Sequence, residues 1–286
     1  MAAPATVSGE RTSLKPLIPK GREGEGRRAP QARRPAIENR RACAKDNMSR
    51  TEGAEGEHSM HIEPGVVDGA KIVLSYATAT AAFGLAAKMA YDTIRKDGGA
   101  AALVLRSLAT TALVFCFFEV FPHYPVGVSE VHFILGSTLY LIFGAGPAAI
   151  GLAGGLLLQG LFLAPFDLPQ YGINVTTLLV PLWAVSLLAK RIIPADTAYV
   201  DVTYWQALRL STAYQGGIVA WVAFWAFYGQ GFGAENLAQV GAFGGAYMTV
   251  IILEPLADLA VLAAAKLLAP YATNPLFYNR LHHPAA

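Results

Sequence analysis

The chain has 286 residues, of which 54% are hydrophobic and only 15% are charged, whereas soluble domains average about 25% charged residues. The formal net charge is only +2, and basic residues do not interleave with aromatic ones, so the composition argues against nucleic-acid binding. The two cysteines, Cys43 and Cys116, lie in segments of opposite polarity, which argues against a structural disulfide and against a Cys-x-x-Cys metal or redox site.

Residues 1–59 form a polar, basic segment that differs from the rest of the chain. They hold twelve of the 22 Lys and Arg residues and eight of the 20 acidic ones. Because they contain no apolar run that could build a core or a signal peptide, we expect this extension to be disordered. It is either a cytoplasmic tail that binds anionic lipid or an extension that is not part of the mature protein.

The remainder, from residue 60 onward, is a series of long apolar segments. A membrane-spanning helix needs ~20 mostly apolar residues, so the pattern predicts an all-α polytopic membrane protein with about seven transmembrane helices. Gly144-Ala145-Gly146-Pro147 divides an uncharged run that is too long for one helix. The predicted spans are 71–91, 100–121, 131–146, 147–165, 172–190, 207–228 and 241–269.

The charges of the short loops predict the orientation of these spans. Lys and Arg are confined to alternate loops, and the loops between them, 122–130, 166–171 and 229–240, carry none. The positive-inside rule then puts Met60 outside the membrane and a tail of residues 271–286 in the cytoplasm. A basic head would have to cross the membrane with Met60, so we expect the mature chain to begin at Met60 and its membrane domain to comprise residues 60–270.

Met60 and His61 would form an unusual metal ligand if Met60 is the first residue. The α-amine of Met60, the amide nitrogen of His61 and its Nδ1 then offer three nitrogens in one plane, an arrangement that favours Ni(II) and Cu(II) and can hold Co(II). These donors must lose protons to bind, so binding should weaken as the pH falls. The alternative is that Met60-His61 is an ordinary dipeptide near the start of a helix.

His132 is the candidate for the fourth ligand. It lies at the outer end of the third predicted span, on the same side as Met60, and an ionisable residue in a membrane span is a functional hypothesis by default. His123, in the same outer loop, is a weaker candidate. Three polar residues of the apolar spans could orient the ligands as neighbours that do not themselves bind the ion: Glu119, Gln159 and Asn174.

Small residues recur at helical spacing in the first span and allow helices to approach closely. The pairs are Ala77/Ala81 and Ala82/Ala86, and they serve either docking of another membrane protein or internal packing. No glycine-rich phosphate loop and no nucleophile-base pair is recognisable, so we expect no enzyme activity and no catalytic cofactor. A transport function would need a partner that supplies energy.

Four sequence elements together resemble the cobalt/nickel permeases of the CbiM/NikM type, which are the substrate-binding components of energy-coupling factor (ECF) ABC importers. The elements are Met60-His61-Ile62-x-x-Gly65, Ser129/His132/Gly136, Gln159, and Gly172-Ile173-Asn174. The resemblance covers about residues 60–270. It implies that Met60, His61 and His132 bind Co(II) or Ni(II) as the transported substrate.

The resemblance also implies a location and partners. The protein would be a multi-pass component of the cell inner membrane, surrounded by lipid, with no nucleic acid partner. It would act with a transmembrane coupling subunit, a small membrane subunit and cytoplasmic ATPase subunits. The small-residue pairs of the first span would then dock the coupling subunit. The rival interpretation is a membrane accessory or scaffold protein for metal handling that transports nothing.

Overall fold

The computed structural model describes residue 62, residues 65–268 and residues 276–284. The predicted disordered extension, residues 1–59, and the proposed ligands Met60 and His61 lie outside these residues. The described part is mostly helical. Its helices are α1 (Val73–Lys96), α2 (Gly99–Glu119), α3 (Gly136–Phe143), α4 (Ala145–Phe162), α5 (Tyr171–Ile192), α6 (Tyr204–Gln230), α7 (Ala234–Leu267) and α8 (Asn279–His282).

Between α2 and α3 the chain forms a hairpin of two short antiparallel strands, β1 (Tyr124–Val126) and β2 (Ser129–Val131). Short 3-10 turns precede α1, α5 and α6, at Gly69–Ile72, Pro165–Gln170 and Tyr199–Asp201.

Five helical stretches of the described chain are long and apolar enough to cross a membrane. They are Gly69–Lys96, Gly99–Glu119, Ala145–Phe162, Pro165–Ile192 and Ala234–Leu267. Helix α6 has 27 residues, which at 1.5 Å per residue is about 40 Å and also exceeds a hydrocarbon core of about 30 Å. The chain is therefore a multi-pass helical membrane protein.

The third predicted span, residues 131–146, is not one helix. Strand β2 ends at Val131, residues 132–135 form neither helix nor strand, and α3 then runs for only 8 residues, Gly136–Phe143. Leu135 turns the chain into α3 with a φ of 52°, and it is the one non-glycine residue of the described chain with positive φ. All residues of α3 are buried, as expected for a broken helix that is tolerated only inside protein.

The predicted break at Gly144-Pro147 is confirmed. Helix α3 ends at Phe143, Gly144 takes a φ of 90°, and α4 begins at Ala145 with Pro147 in its first turn. Proline is favourable there because the first amides of a helix have no partner within it.

Helices α2 and α4 approach closely because α4 presents glycines to α2. A Cβ added at Gly151 would lie 2.3 Å from Oγ1 of Thr110, and one at Gly155 would lie 2.6 Å from a methyl carbon of Val114. The Thr110 hydroxyl also donates a hydrogen bond of 2.7 Å to the carbonyl of Pro147. Small residues at this contact permit the backbone approach that holds membrane helices together.

The segment 276–284, which we call the tail, packs at one end of the bundle. The amide of Tyr278 donates to the carbonyl of Ile142 at 2.8 Å, near the end of α3. The amide of Asn279 donates to Asp97 at 3.3 Å, and Asp97 forms a buried ion pair with Arg106. Burial raises the pKa of Tyr278 to about 12, so its hydroxyl stays neutral here. We call this end of the bundle the tail end.

The opposite end holds residue 62, the β-hairpin and the start of α7, and we call it the site end. The backbone of Gln239 on α7 lies so close to the hairpin turn that a Cβ at Gly127 would be 2.1 Å from its carbonyl oxygen. Helix α6 ends here too, where Lys71 donates to the carbonyl of Gly229 at 2.7 Å. The tail end holds the ion pair of Asp97 and Arg106, and the candidate site lies at the site end.

Replacing Gly151 by Ala is expected to lower the thermal stability of the detergent-solubilised protein, because the new methyl group overlaps Thr110. Overpacking of this kind costs about 1–3 kcal/mol. The matched control is Gly84→Ala, since Gly84 is exposed on α1 and a Cβ there meets nothing within 4 Å. Equal melting temperatures for the two variants would contradict the close α2–α4 contact.

Candidate metal centre

The β-hairpin positions the site because its turn is fixed on both sides. Val126 pairs with Ser129, so only Gly127 and Val128 form the turn. Gly127 has a φ of 65° and lies against the backbone of α7, and both conditions favour glycine. The hairpin is thereby anchored to α7, and strand β2 runs from this turn into the bundle.

His132 follows strand β2 and is only 3% exposed. Its Nε2 lies 3.3 Å from a carboxylate oxygen of Glu130. Residues two apart share one face of an extended chain, which brings these two side chains together. The edge of Phe118 contacts the imidazole with ring centroids 5.1 Å apart, and the ring of His123 stacks on it at 5.5 Å. His132 is therefore held by a carboxylate and by rings on two sides.

The start of the described chain enters the same site. Ile62 is 2% exposed, and its amide donates to the side-chain oxygen of Asn174 at 3.3 Å. Ile62, His132, Glu130 and Asn174 line one cavity of about 30 Å³, which is large enough to hold a water molecule. Tyr247 of α7 closes it, with its hydroxyl 3.5 Å from the amide of His132.

Residues 65–68 fix the path of the chain toward this cavity. Val66 and Val67 are buried, and the side chain of Gln170 donates to the carbonyl of Val67 at 3.1 Å. A Cβ at Gly229, near the end of α6, would lie 1.8 Å from the carbonyl oxygen of Val66. The segment is thus embedded between the start of α5 and the end of α6.

The predicted orienting residues are distributed unevenly around the cavity. Asn174 lines it directly, while Gln159 lines an adjoining cavity of about 10 Å³ that Asn174 shares. Glu119 is half-buried at the end of α2 and lines neither cavity.

Within the described residues, no three His, Cys, Asp or Glu side chains are placed to hold a metal ion together. A complete ligand set would need donors outside them, such as Met60 and His61.

The two small-residue pairs of α1 lie on different faces. Ala82 and Ala86 are buried and belong to the inward face of the helix, whereas Ala77 and Ala81 are exposed. Of the two pairs, only Ala77/Ala81 is thus accessible on the surface of the described chain.

Two residues that contact His132 were not expected from the sequence to be important for the site. Glu130 is 3% exposed and contacts the imidazole, although its sequence position suggested only a loop charge. His123 stacks on His132, although it was a weaker candidate. The alternation of Glu130 and His132 was the available signal, because period two predicts a shared face in a strand.

Comparison with known families supports a transport role for this bundle. The model of the CbiM family, described as a cobalt uptake substrate-specific transmembrane region, matches residues 61–271. Neither the comparison with curated proteins nor the comparison with solved structures gave a match. The match covers more than half of the chain and includes every described residue of the candidate site.

Replacing Glu130 by Gln is expected to weaken binding of Co(II) or Ni(II) by about 10–100-fold, because a carboxylate that orients a metal-binding imidazole is worth about that much. Calorimetric titration of a chain that begins at Met60 measures the change. The control is Glu235→Gln, since Glu235 is exposed in the first turn of α7. If both variants bind as the parent does, Glu130 has no part in orienting His132.

Proposed function

Because the chain belongs to the CbiM family of cobalt-uptake transmembrane components, we propose that it is the substrate-binding permease of an ATP-driven ECF importer for Co(II) or Ni(II). The ion binds at the site end, outside the cell inner membrane, and leaves toward the tail end, in the cytoplasm. The protein carries out no reaction on the ion. ATP is hydrolysed by partner subunits, which act through a transmembrane coupling subunit and a small membrane subunit.

One observation carries this proposal: Ile62 lines the same cavity as His132. Ile62 directly follows His61 in the sequence, which supports our proposal that His61 and His132 bind the same ion. The hydrogen bond from Ile62 to Asn174 holds the chain at this point. Asn174 is therefore the orienting residue with the clearest role, and Gln159 supports it from the adjoining cavity.

The proposed ligand set is the amine of Met60, the amide nitrogen and imidazole of His61, and the imidazole of His132. A neutral imidazole has one N–H and one lone pair. If Nε2–H of His132 faces Glu130, the lone pair is on Nδ1, which is the atom we assign to the ion. Four nitrogens in a plane suit Ni(II), and they also hold Co(II).

We propose that the described part of the chain crosses the membrane seven times, with β2, residues 132–135 and α3 together as the third crossing. The order of the helices between the site end and the tail end supports this count. With Met60 outside, the exposed pair Ala77/Ala81 on α1 is the face that we propose for docking the coupling subunit. The buried pair Ala82/Ala86 serves internal packing.

A chain that begins at Met60 is expected to bind one equivalent of Co(II) or Ni(II), and His61→Ala and His132→Ala are each expected to abolish this binding. Each removes one of four planar donors and leaves an incomplete site. His283→Ala is the control, because His283 is exposed in the tail. Metal content and calorimetric titration of the purified variants provide the measurement. Tight binding that survives either substitution contradicts the ligand set, and a parent chain that binds no metal favours the scaffold alternative.

Binding by these donors is expected to weaken steeply as the pH falls. An ordinary α-amine has a pKa of about 7.7–8.0, and a coordinated amide nitrogen must release its proton at any pH. Both protons compete with the ion, so the Kd at pH 6 should exceed that at pH 8 by at least about 100-fold.

A one-residue extension before Met60 converts its free amine into an amide and should abolish uptake. Uptake that continues with such an extension still attached shows that the amine is not a ligand.

A further inference from the structure

Two carboxylates lie one helical turn apart on α7, away from the metal centre. Glu254 and Asp258 are both 0% exposed, and in the part of the chain that the structure describes neither is a member of an ion pair. A buried charge without a partner is expensive, so these two groups need an explanation that the metal site does not supply.

Hydroxyl and amide donors from two other helices surround the two carboxylates. From α3, the hydroxyl of Ser137 lies 3.2 Å from Glu254 and 2.8 Å from Asp258, and the hydroxyl of Thr138 contacts Asp258. From α6, Ser211 donates to Glu254 at 3.0 Å, and the amide of Gln215 donates to the same carboxylate oxygen. The two acids therefore join α7 to the first turn of α3 and to α6.

The hydrogens available at Ser137 are too few for two ionised carboxylates. Its hydroxyl carries one hydrogen, yet its oxygen lies within hydrogen-bond distance of both acids. If the hydroxyl donates to one acid, the contact with the other requires a hydrogen from that acid. One carboxyl proton satisfies both contacts, with Ser137 accepting from one acid while it donates to the other.

A buried tyrosine hydroxyl that makes none of these hydrogen bonds also lies near Glu254. Tyr214 of α6 is 0% exposed, and its hydroxyl has no hydrogen-bond partner among the described residues. The hydroxyl-bearing end of its ring lies against Gly136, the residue before Ser137, at 2.1 Å from where a Cβ would be, and it lies within electrostatic reach of Glu254. A buried hydroxyl with a free hydrogen-bonding capacity near Glu254 offers a position where a proton can be exchanged.

We propose that Glu254 and Asp258 form a proton-binding site in which the two carboxyl groups share one proton through Ser137 at neutral pH. The tyrosines near Glu254 are Tyr214 from α6 and Tyr247 from α7, and the hydroxyl of Tyr247 lies 3.5 Å from the amide of His132. The remaining carboxylate charge is stabilised by the amino-terminal end of α3, where a helix favours negative charge, and by four donors around Glu254. These donors are the hydroxyl and the backbone amide of Ser137, the hydroxyl of Ser211 and the side-chain amide of Gln215.

The shared proton holds α3 in position. Without it, two negative charges would lie one helical turn apart in an apolar interior, and the single hydrogen of the Ser137 hydroxyl could serve only one of them, so one of the contacts that join α7 to α3 would be lost. Since His132 precedes α3 by four residues, the proton also positions the imidazole. This consequence for the metal rests on the proposed function, whereas the proton itself is measured without any metal.

Infrared spectroscopy of the metal-free protein in ester-free detergent at pH 7.5 tests the proposal directly. The carbonyl stretch of a protonated carboxylic acid is separate from that of a carboxylate, and it shifts in heavy water. We expect such a band in the parent and expect it to disappear in Glu254→Gln and in Asp258→Asn. Each new amide supplies the N–H that Ser137 lacks, so the remaining acid can ionise. Glu235→Gln, at an exposed position of the same helix, should leave the band unchanged.

Two results would overturn the shared proton. A parent protein without the band has both acids ionised, and the hydrogen count at Ser137 is then met in another way. A band that persists in both single variants shows that each acid is protonated independently through burial alone.

A second measurement needs no folded variant. The unfolded chain releases this proton above about pH 4 whereas the folded parent holds it at pH 7, so the melting temperature of the parent should fall as the pH rises from 7 to 9. In Asp258→Asn, where folded protein is obtained, the fall should be absent. A parent whose melting temperature is constant from pH 7 to pH 9, and whose infrared band is also constant, contradicts an exchangeable proton at this site.

Discussion

The constraint on which this structure depends is that every backbone polar group in the apolar interior must find a partner. Between β2 and α3 the chain leaves regular secondary structure inside the bundle. Strand β2 meets the constraint by pairing with β1, and at the first turn of α3 the backbone amide of Ser137 donates to Glu254 of α7. The αL conformation of Leu135 costs roughly 1–2 kcal/mol, and complete burial of α3 offsets this cost.

The break in the helix is what creates the candidate site. In a continuous helix, successive residues turn by about 100°, so Glu130 and His132 would point about 200° apart. In the extended segment they share a face, and a carboxylate comes within 3.3 Å of the imidazole. The same extension brings the ring of His132 between Phe118 and His123. An unwound segment that lines a polar site is the usual way in which membrane transporters present ligands at depth.

Much of the fold could be predicted from the sequence, because long apolar runs and short charged loops define helices and their connections. The fifth predicted span, 172–190, corresponds to α5 at Tyr171–Ile192, and the break at Gly144 is where the glycines and Pro147 predicted it. The third span was wrong because an apolar run of a few residues cannot be assigned to a strand or a helix by periodicity alone. Small residues on two faces of α1 gave no means to distinguish the buried pair Ala82/Ala86 from Ala77/Ala81.

The site was predictable only in part, for a similar reason. His132 and Asn174 were expected at one end because the order of crossings puts the ends of alternate spans together. The contact between Glu130 and His132 depends on the strand, which the helical prediction excluded. Asp258 was not predicted as a site residue, because an acid four residues after Glu254 indicates only a second polar position on one helix face. Its role requires the spatial proximity of α3, which no local pattern encodes.

The segment that leads to the metal centre is held by a nearly balanced set of forces. Ordering Ile62 and residues 65–68 costs roughly 5–10 kcal/mol at 1–2 kcal/mol per residue. Burying Ile62, Val66 and Val67 returns about 5–9 kcal/mol, and the hydrogen bonds from Ile62 to Asn174 and from Gln170 to Val67 contribute about 1 kcal/mol each. Because these quantities almost cancel, an ion that binds the docked segment together with His132 would shift the balance by its own binding free energy.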